Sequence, residues 1–189
     1  MNGIPDWLKS EVEDYFVVDL NLSPRVILDI GANIGAFALR AHRTWPDAKI
    51  ICYEPIPTNV VALNQNVDPS WAEVIPRAVR ARGDMQEIFI GKDFVTSGFK
   101  RGTRQIELVL PVLCMSARQL PNADLVKIDT EGSEVEILDN MNLQPVKAIL
   151  LEFHSKRDAA KIKTILKPHF KLLHDESHRD IGTMIFKRK

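Results

Sequence analysis

Residues 26–37, VILDIGANIGAF, decide the fold. An apolar, β-rich run carries an acid, Asp29, near its end and then meets two glycines four residues apart, Gly31 and Gly35. A strand that turns through glycines into a helix brings backbone N–H groups and a helix N-terminus to the carboxyl end of a strand, where nucleotide-like ligands sit. The loop excludes two of them. A dinucleotide fingerprint aligned on Gly31 needs glycine at positions 33 and 36, which are Asn33 and Ala36 here. No G-K-[ST] follows, so it is not a phosphate loop either. What remains is a tight turn that brings backbone close to a ligand and leads to a helix start able to receive a carboxylate. The same glycines also serve plain packing of helix on sheet.

Working outward, the helical segment after the loop spans about 34–43 and stops at TWPD. KIICYEP (49–55) reads as a strand and TNVVALNQN (58–66) as a helix. AEVIPRAV (72–79) contains Pro76, which argues against a regular central strand. Residues 84–116 break the alternation: MQEIFIG (85–91) and QIELVLPVLCM (105–115) are strand-like with no helix between them. The rhythm returns with DLVKID (124–129), a helix over 133–141, the strand VKAILLEFH (146–154) and a helix over 156–167. FKLLHDE (170–176) and GTMIFKRK (182–189) close the chain as a hairpin, predicting an antiparallel edge. Ahead of it all, Ile4, Trp7, Leu8, Val12, Tyr15 and Phe16 recur at helical spacing. The expectation is one doubly wound α/β domain over 1–189, with a mostly parallel sheet, an N-terminal helix and lead-in over 1–24 and a small β insertion over 84–116.

Composition bounds the partners. Lys+Arg and Asp+Glu are equal at 25 each, so net charge gives no pull toward a polyanion. The first residues carry acids and no long apolar core, and no window has the length of a membrane span, so a cytoplasmic protein is expected. Cys52 and Cys114 are lone thiols in apolar runs, which fits a reducing compartment and burial in the core.

In an open α/β sheet the polar residues just beyond each strand form the site. These are Asp29, Gly31, Asn33 and Gly35 after the first run, and Glu54 after the second. They continue with Asp129, Thr130, Glu131 and Gly132 after the fourth, and Glu152 and His154 after the fifth. Glu54 lies 23 residues beyond Gly31, where an acid can accept hydrogen bonds from ribose hydroxyls. A nucleoside cofactor without an essential diphosphate, such as S-adenosylmethionine, fits loop and acid together. A solvent-facing acid at a strand end is the plainer alternative.

The segments DIGANIGAF, YEPIPTN, DLVKIDTEGSEVEIL and ILLEFH, in this order and spacing, resemble the FkbM family of S-adenosylmethionine-dependent methyltransferases. The resemblance runs from about residue 25 to the GTMIF strand, and EPIPTN with KIDTEGSE is its more specific part. It implies a Rossmann-like class I sheet of seven strands with the last antiparallel. It implies that Asp29, Gly31, Ala32, Asn33 and Gly35 line the methionine end. Glu54 would hold the ribose with Pro55 beside it, and Ala78 and Val79 would border the adenine. Asp129, with Glu131, would face both cofactor and reaction centre. The implied activity is O-methylation of a hydroxyl on a small molecule or sugar, with no metal. Where the family has a Leu-Asp pair before the fourth strand, this chain has Met115-Ser116, and it is short before the first strand. Both departures bear on substrate recognition.

Methyl transfer to a hydroxyl needs alignment and a base within hydrogen-bond reach. His154, Asp129, Glu131 and Glu152 are the candidates, and His154 ranks first because imidazole titrates near neutrality. Capping of the next helix is its ordinary alternative. Lys127 shares a strand face with Asp129, which suits an ion pair as well as catalysis. Glu131, Glu134 and Glu136 open a helix, where acids also favour the dipole. His174 and His178 have H-x-x-x-H spacing around Asp175, but across strand and turn, a weak metal pattern. Lys100, Arg101 and Arg104 form a basic loop, either solvated or a lid over an acidic substrate. Rival readings are a nucleic-acid methyltransferase, against the zero net charge, a non-catalytic binding module, and a nicotinamide-dependent reductase.

Overall fold

Ile4, Leu8, Val12 and Tyr15 recur every three or four residues, and all four are buried. That stripe makes α1 (Asp6–Glu13) and the 3-10 turn over Asp14–Phe16 that continues it. Trp7 remains half exposed. The computed structural model describes residues 4–91, 97–99 and 106–189.

β1 (Val26–Ile30) leads into α2 (Ala36–Thr44), which starts later than its pattern predicts because Gly35 adopts a left-handed φ of 92°. β2 (Lys49–Tyr53) is followed by α3 (Pro57–Asn66), whose first-turn Pro57 is set for helix entry. The third run is not one strand. β3 (Ala72–Ile75) stops before Pro76, and β4 (Ala78–Arg80) joins a second sheet. Proline has no N–H to continue a ladder, so the chain changes sheets there. In that sheet β5 (Met85–Gly91) pairs antiparallel with β6 (Ser97–Gly98) and with β7 (Ile106–Ser116), while β4 pairs parallel with β7. Its inner face packs Ile56, Ala78, Ile88, Ile90, Val112 and Cys114 into a small core of its own. The basic loop of Lys100, Arg101 and Arg104 lies outside the described residues.

β8 (Leu125–Ile128), α4 (Glu134–Asn140), β9 (Ala148–Phe153), α5 (Lys156–Leu166), β10 (Phe170–Asp175) and β11 (Gly182–Arg188) complete the chain. The large sheet has seven strands in the order β10-β11-β9-β8-β1-β2-β3, parallel except for β11, which runs antiparallel to both neighbours. The closing hairpin therefore forms, but its last strand is interior and β10 is the edge. Met184, Ile185 and Phe186 explain this. Consecutive apolar residues on both faces, 0–2 % exposed, need a covered position.

Ile27, Leu28, Ile30, Leu125, Val126 and Ile128 are fully buried, so the two central strands are covered on both faces. Burial of each large side chain contributes about 1.5–3 kcal/mol. The chain leaves β1 toward β2 on one side and returns through β8 on the other. The strand order thus reverses between β1 and β8, and a crevice opens above their carboxyl ends.

Candidate cofactor and acceptor site

The loop after β1 is folded onto its neighbours by backbone bonds. Gly31 and Ala32 both donate N–H to the Tyr53 carbonyl at 3.0 Å, and Gly35 N–H reaches the Ala32 carbonyl at 2.9 Å. Gly31 has φ +81°, and a Cβ there would lie 1.7 Å from the Asp129 carbonyl oxygen. At Gly35 a Cβ would lie 2.7 Å from Leu63 Cδ1. Gly31 thus lets the loop touch the end of β8, while Gly35 lets α2 close on α3.

Glu54, 4 % exposed, holds this loop from the next strand. Its carboxylate accepts from Asn33 N–H and Ile56 N–H, each at 2.9 Å, and from the Asn59 amide at 3.3 Å. Burial raises its pKa to about 7 against those bonds. Lys127 is the cation of the crevice. Its ammonium donates to the Gly31 carbonyl at 2.7 Å and lies 3.4 Å from Asp29 and 3.5 Å from Asp129. Burial pulls Lys127 down, but Asp129, Asp29 and Glu152 outweigh it and its pKa is raised. Asp29 is fully buried behind the loop and raised by burial in spite of Lys127. The ion-pair reading of Lys127 and Asp129 is therefore realised, with Asp29 as a third member.

Glu134 shapes the second loop. Its Oε1 accepts from Thr130 N–H, Thr130 Oγ1 and Gly132 N–H at 3.0–3.1 Å, tying the turn in which Glu131 and Gly132 have positive φ. The same oxygen lies 3.3 Å from His154 Nδ1. His154 Nε2 lies 3.6 Å from Glu131, and 4.0 Å from both Asp129 and Glu152. Burial pulls this imidazole down, but Glu134, Asp129 and Glu131 override it and push its pKa up to about 10. Ser155, not His154, caps α5, accepting from Asp158 N–H at 3.0 Å. Glu152 is raised to about 8 by burial and by Asp129.

One cavity runs along the crevice. Of the residues singled out in the sequence, its lining includes Gly31, Ala32, Asn33, Glu54, Pro55, Ala78, Val79, Lys127, Asp129, Thr130, Glu131 and Glu152. Asp29, Gly35 and His154 stand behind it. Ile88 of the small sheet and Phe99, just after β6, join Ala78 and Val79 on one wall. α1 and its 3-10 turn form the other wall, with Trp7, Glu11 and Tyr15, and Tyr15 donates its hydroxyl to Asp129 Oδ2 at 3.3 Å.

The family profile described as the methyltransferase FkbM domain matches residues 29–181, which include both loops. The chain belongs to the FkbM methyltransferase family. Among relatives of this FkbM-family chain is the hexuronic acid methyltransferase AglP of Haloferax volcanii, 26 % identical over 148 residues. That match covers 75 % of this chain but only 61 % of AglP. Methyltransferase sdnD of Sordaria araneosa is 27 % identical over 181 residues, covering 73 % of this chain and 69 % of sdnD. Among solved structures, the fibrillarin pre-rRNA processing protein of Methanococcus jannaschii superposes with a TM-score of 0.59 at 14 % identity, over 96 % of this chain and 75 % of that one. At that identity the likeness shows a shared fold, the Rossmann-like class I methyltransferase sheet.

Sequence reasoning missed Tyr15, Glu11, Phe99 and Asn59 as members of the FkbM cavity. Asn59 had a signal, since it follows Glu54 by five residues in EPIPTN and faces back along the first turn of α3. Tyr15 and Phe99 had none of their own, because their place depends on how α1 and the small sheet dock. No described helix is long and apolar enough to cross a membrane.

Proposed function

We propose that this chain is an S-adenosylmethionine-dependent O-methyltransferase acting on a hydroxyl of a small molecule or saccharide. The observation that carries the reading is the continuous cavity. It joins the glycine loop and Glu54 at one end to Asp129, Glu131 and Glu152 at the other, in a chain of a methyltransferase family. Asn33, Ala32 and the Gly31 loop receive the methionine end, Glu54 the ribose hydroxyls, and Ala78, Val79 and Phe99 the adenine face. The methyl carbon is then presented toward the three carboxylates. Transfer from a sulfonium is an in-line displacement whose leaving group departs neutral, so alignment supplies much of the acceleration. The acceptor hydroxyl loses its proton to a cavity carboxylate at the ends of β8 and β9. His154 does not line the cavity, and as an imidazolium among four carboxylates it already holds its proton at neutral pH. Its role is to fix the acids, which displaces it from the rank that its residue type alone gives it. The name of AglP supports a sugar-like acceptor.

The test is calorimetric titration with S-adenosylmethionine, followed by transfer of labelled methyl to neutral sugars, uronic acids and RNA. Binding with O-linked label on a saccharide is the expected result. Label on RNA instead would replace this acceptor with a nucleic acid, and no binding of S-adenosylmethionine would remove the reading altogether.

A further inference from the structure

α1 lies ahead of residues 29–181, the stretch that the family profile matches, so the shared domain does not dictate what this wall of the cavity carries. Its inward stripe, Leu8 and Val12 continued by Tyr15, is buried. Trp7 and Glu11 stand beside that stripe, four residues apart and therefore one above the other on the helix surface. Both line the cavity, and both stay open to solvent, Trp7 at 49 % exposure. Among the described residues the Trp7 ring makes no aromatic or cation contact and its indole N–H has no acceptor. Glu11 likewise makes no hydrogen bond or ion pair among them. Core packing and surface pairing therefore leave both side chains unexplained.

The pair belongs to the Asp129 end of the cavity. Tyr15, four residues beyond Glu11 in the same segment, donates its hydroxyl to Asp129. Partial burial and then Asp129 raise the Glu11 carboxyl above its ordinary value, and Glu11 in turn helps to raise Glu152. The rim of α1 thus faces the carboxylates at the ends of β8 and β9.

A saccharide ring has two kinds of surface. Its C–H groups make an apolar face that an indole covers with little entropy to lose, because Trp has only two side-chain torsions. Its hydroxyls project around the edge and donate to carboxylates. Trp7 offers the first kind of contact, and Glu11 offers the second from the same helix. A uronic acid would bring its own carboxylate against Glu11, Asp129 and Glu152, where like charges repel. Lys127, the one cation among the described lining residues, is already held by Asp29, Asp129 and the Gly31 carbonyl.

We propose that Trp7 and Glu11 determine acceptor specificity, Trp7 stacking on the apolar face of a sugar ring and Glu11 accepting from its hydroxyls, so that an uncharged saccharide is taken in preference to a uronic acid. This rests on the acceptor reading above and adds the charge of the acceptor to it.

The test uses the intact protein, labelled S-adenosylmethionine and two matched acceptor series: methyl glycosides of glucose, galactose and mannose, and those of the corresponding uronic acids. The neutral series should be preferred by about tenfold or more in kcat/KM. Trp7→Ala should raise the acceptor KM about tenfold, with kcat and S-adenosylmethionine affinity within about twofold of wild type, and Trp7→Phe should recover most of that loss. Glu11→Lys should narrow or reverse the preference over uronic acids. With S-adenosylhomocysteine bound, the neutral glycosides should shift indole fluorescence in the wild type and not in Trp7→Phe, a readout that needs no turnover. A wild-type preference for uronic acids, a KM that Trp7→Ala leaves unchanged, or a preference that Glu11→Lys leaves unchanged overturns the proposal. The two readings fail differently. Saccharides methylated with an unchanged KM in Trp7→Ala remove the α1 platform alone, whereas S-adenosylmethionine binding with no saccharide methylated removes the acceptor reading and this proposal with it.

Discussion

Gly31 and Asp129 are packed so closely that a single added methyl would stand 1.7 Å from the Asp129 carbonyl oxygen. The loop after β1 and the end of β8 are therefore one surface. Gly132 has a left-handed φ of 106° but open space around its missing Cβ. The pair separates steric from conformational requirement. Gly132→Ala should cost about 1–2 kcal/mol from backbone strain alone. Gly31→Ala adds a backbone clash and should cost more than twice that, or leave no folded protein. Urea denaturation compares them, and equal losses would show that the contact yields freely.

Glu54 ties the glycine loop to β2 and, in the proposed function, receives the ribose hydroxyls. Glu54→Gln should weaken S-adenosylmethionine about 10–100-fold, because charge-assisted hydrogen bonds contribute about 1.5–3 kcal/mol. The pH dependence follows from a pKa raised to about 7 by burial. Ribose hydroxyls favour the ionised form, so affinity should rise as pH rises through about 7 and level off above it. Stability of the ligand-free protein runs the other way. A folded pKa above the ordinary 4.5 means that ionising Glu54 costs stability as pH climbs from about 4.5 through 7. Glu54→Gln should flatten both curves, and calorimetry at pH 6, 7 and 8 with thermal melts reads them.

Much of this was legible in the chain. VILDIG and DLVKID announced two buried parallel strands, and the polar residues after them became the cavity lining because side chains beyond strand ends have nowhere else to go. Pro76 signalled the break between β3 and β4. The position of β11 was not legible as an edge or interior strand by turn length, and only its two apolar faces account for it. The surroundings of His154 were not legible, for a physical reason. An imidazole by type titrates near neutrality, but carboxylates from separate segments surround this one and push it up to about 10, and their convergence is a property of the tertiary fold.

Tyr15 brings the N-terminal segment to the Asp129 end of the cavity. Its ring packs edge-on against Phe37 with centroids 5.8 Å apart, and its hydroxyl reaches Asp129. Tyr15→Phe keeps the ring and removes the bond. Stability should fall by about 1 kcal/mol or less, with S-adenosylmethionine affinity unchanged within about twofold. Methyl transfer should slow through kcat, because Asp129 is released from one of its two anchors. Loss expressed in cofactor affinity instead would assign Tyr15 to the donor side of the cavity.

Lys127 and Asp29 form the buried pair on which the whole crevice is assembled. Lys127→Met leaves Asp29, fully buried and without a hydrogen bond to either oxygen, facing no cation. Breaking a buried pair from one side costs about 3–5 kcal/mol, because the surviving charge is stranded. The double variant Lys127→Met with Asp29→Asn removes that stranded charge and should recover at least half of the loss. Recovery of stability need not restore function. The Gly31 carbonyl and Asp129 both still lack the ammonium that held them, so S-adenosylmethionine affinity should stay below wild type in the double variant. A double-mutant cycle in urea, with cofactor titration on all four proteins, measures both. Additive losses would show that Asp29 and Lys127 are stabilised independently, and recovered affinity would show that the ammonium positions nothing that the cofactor reads.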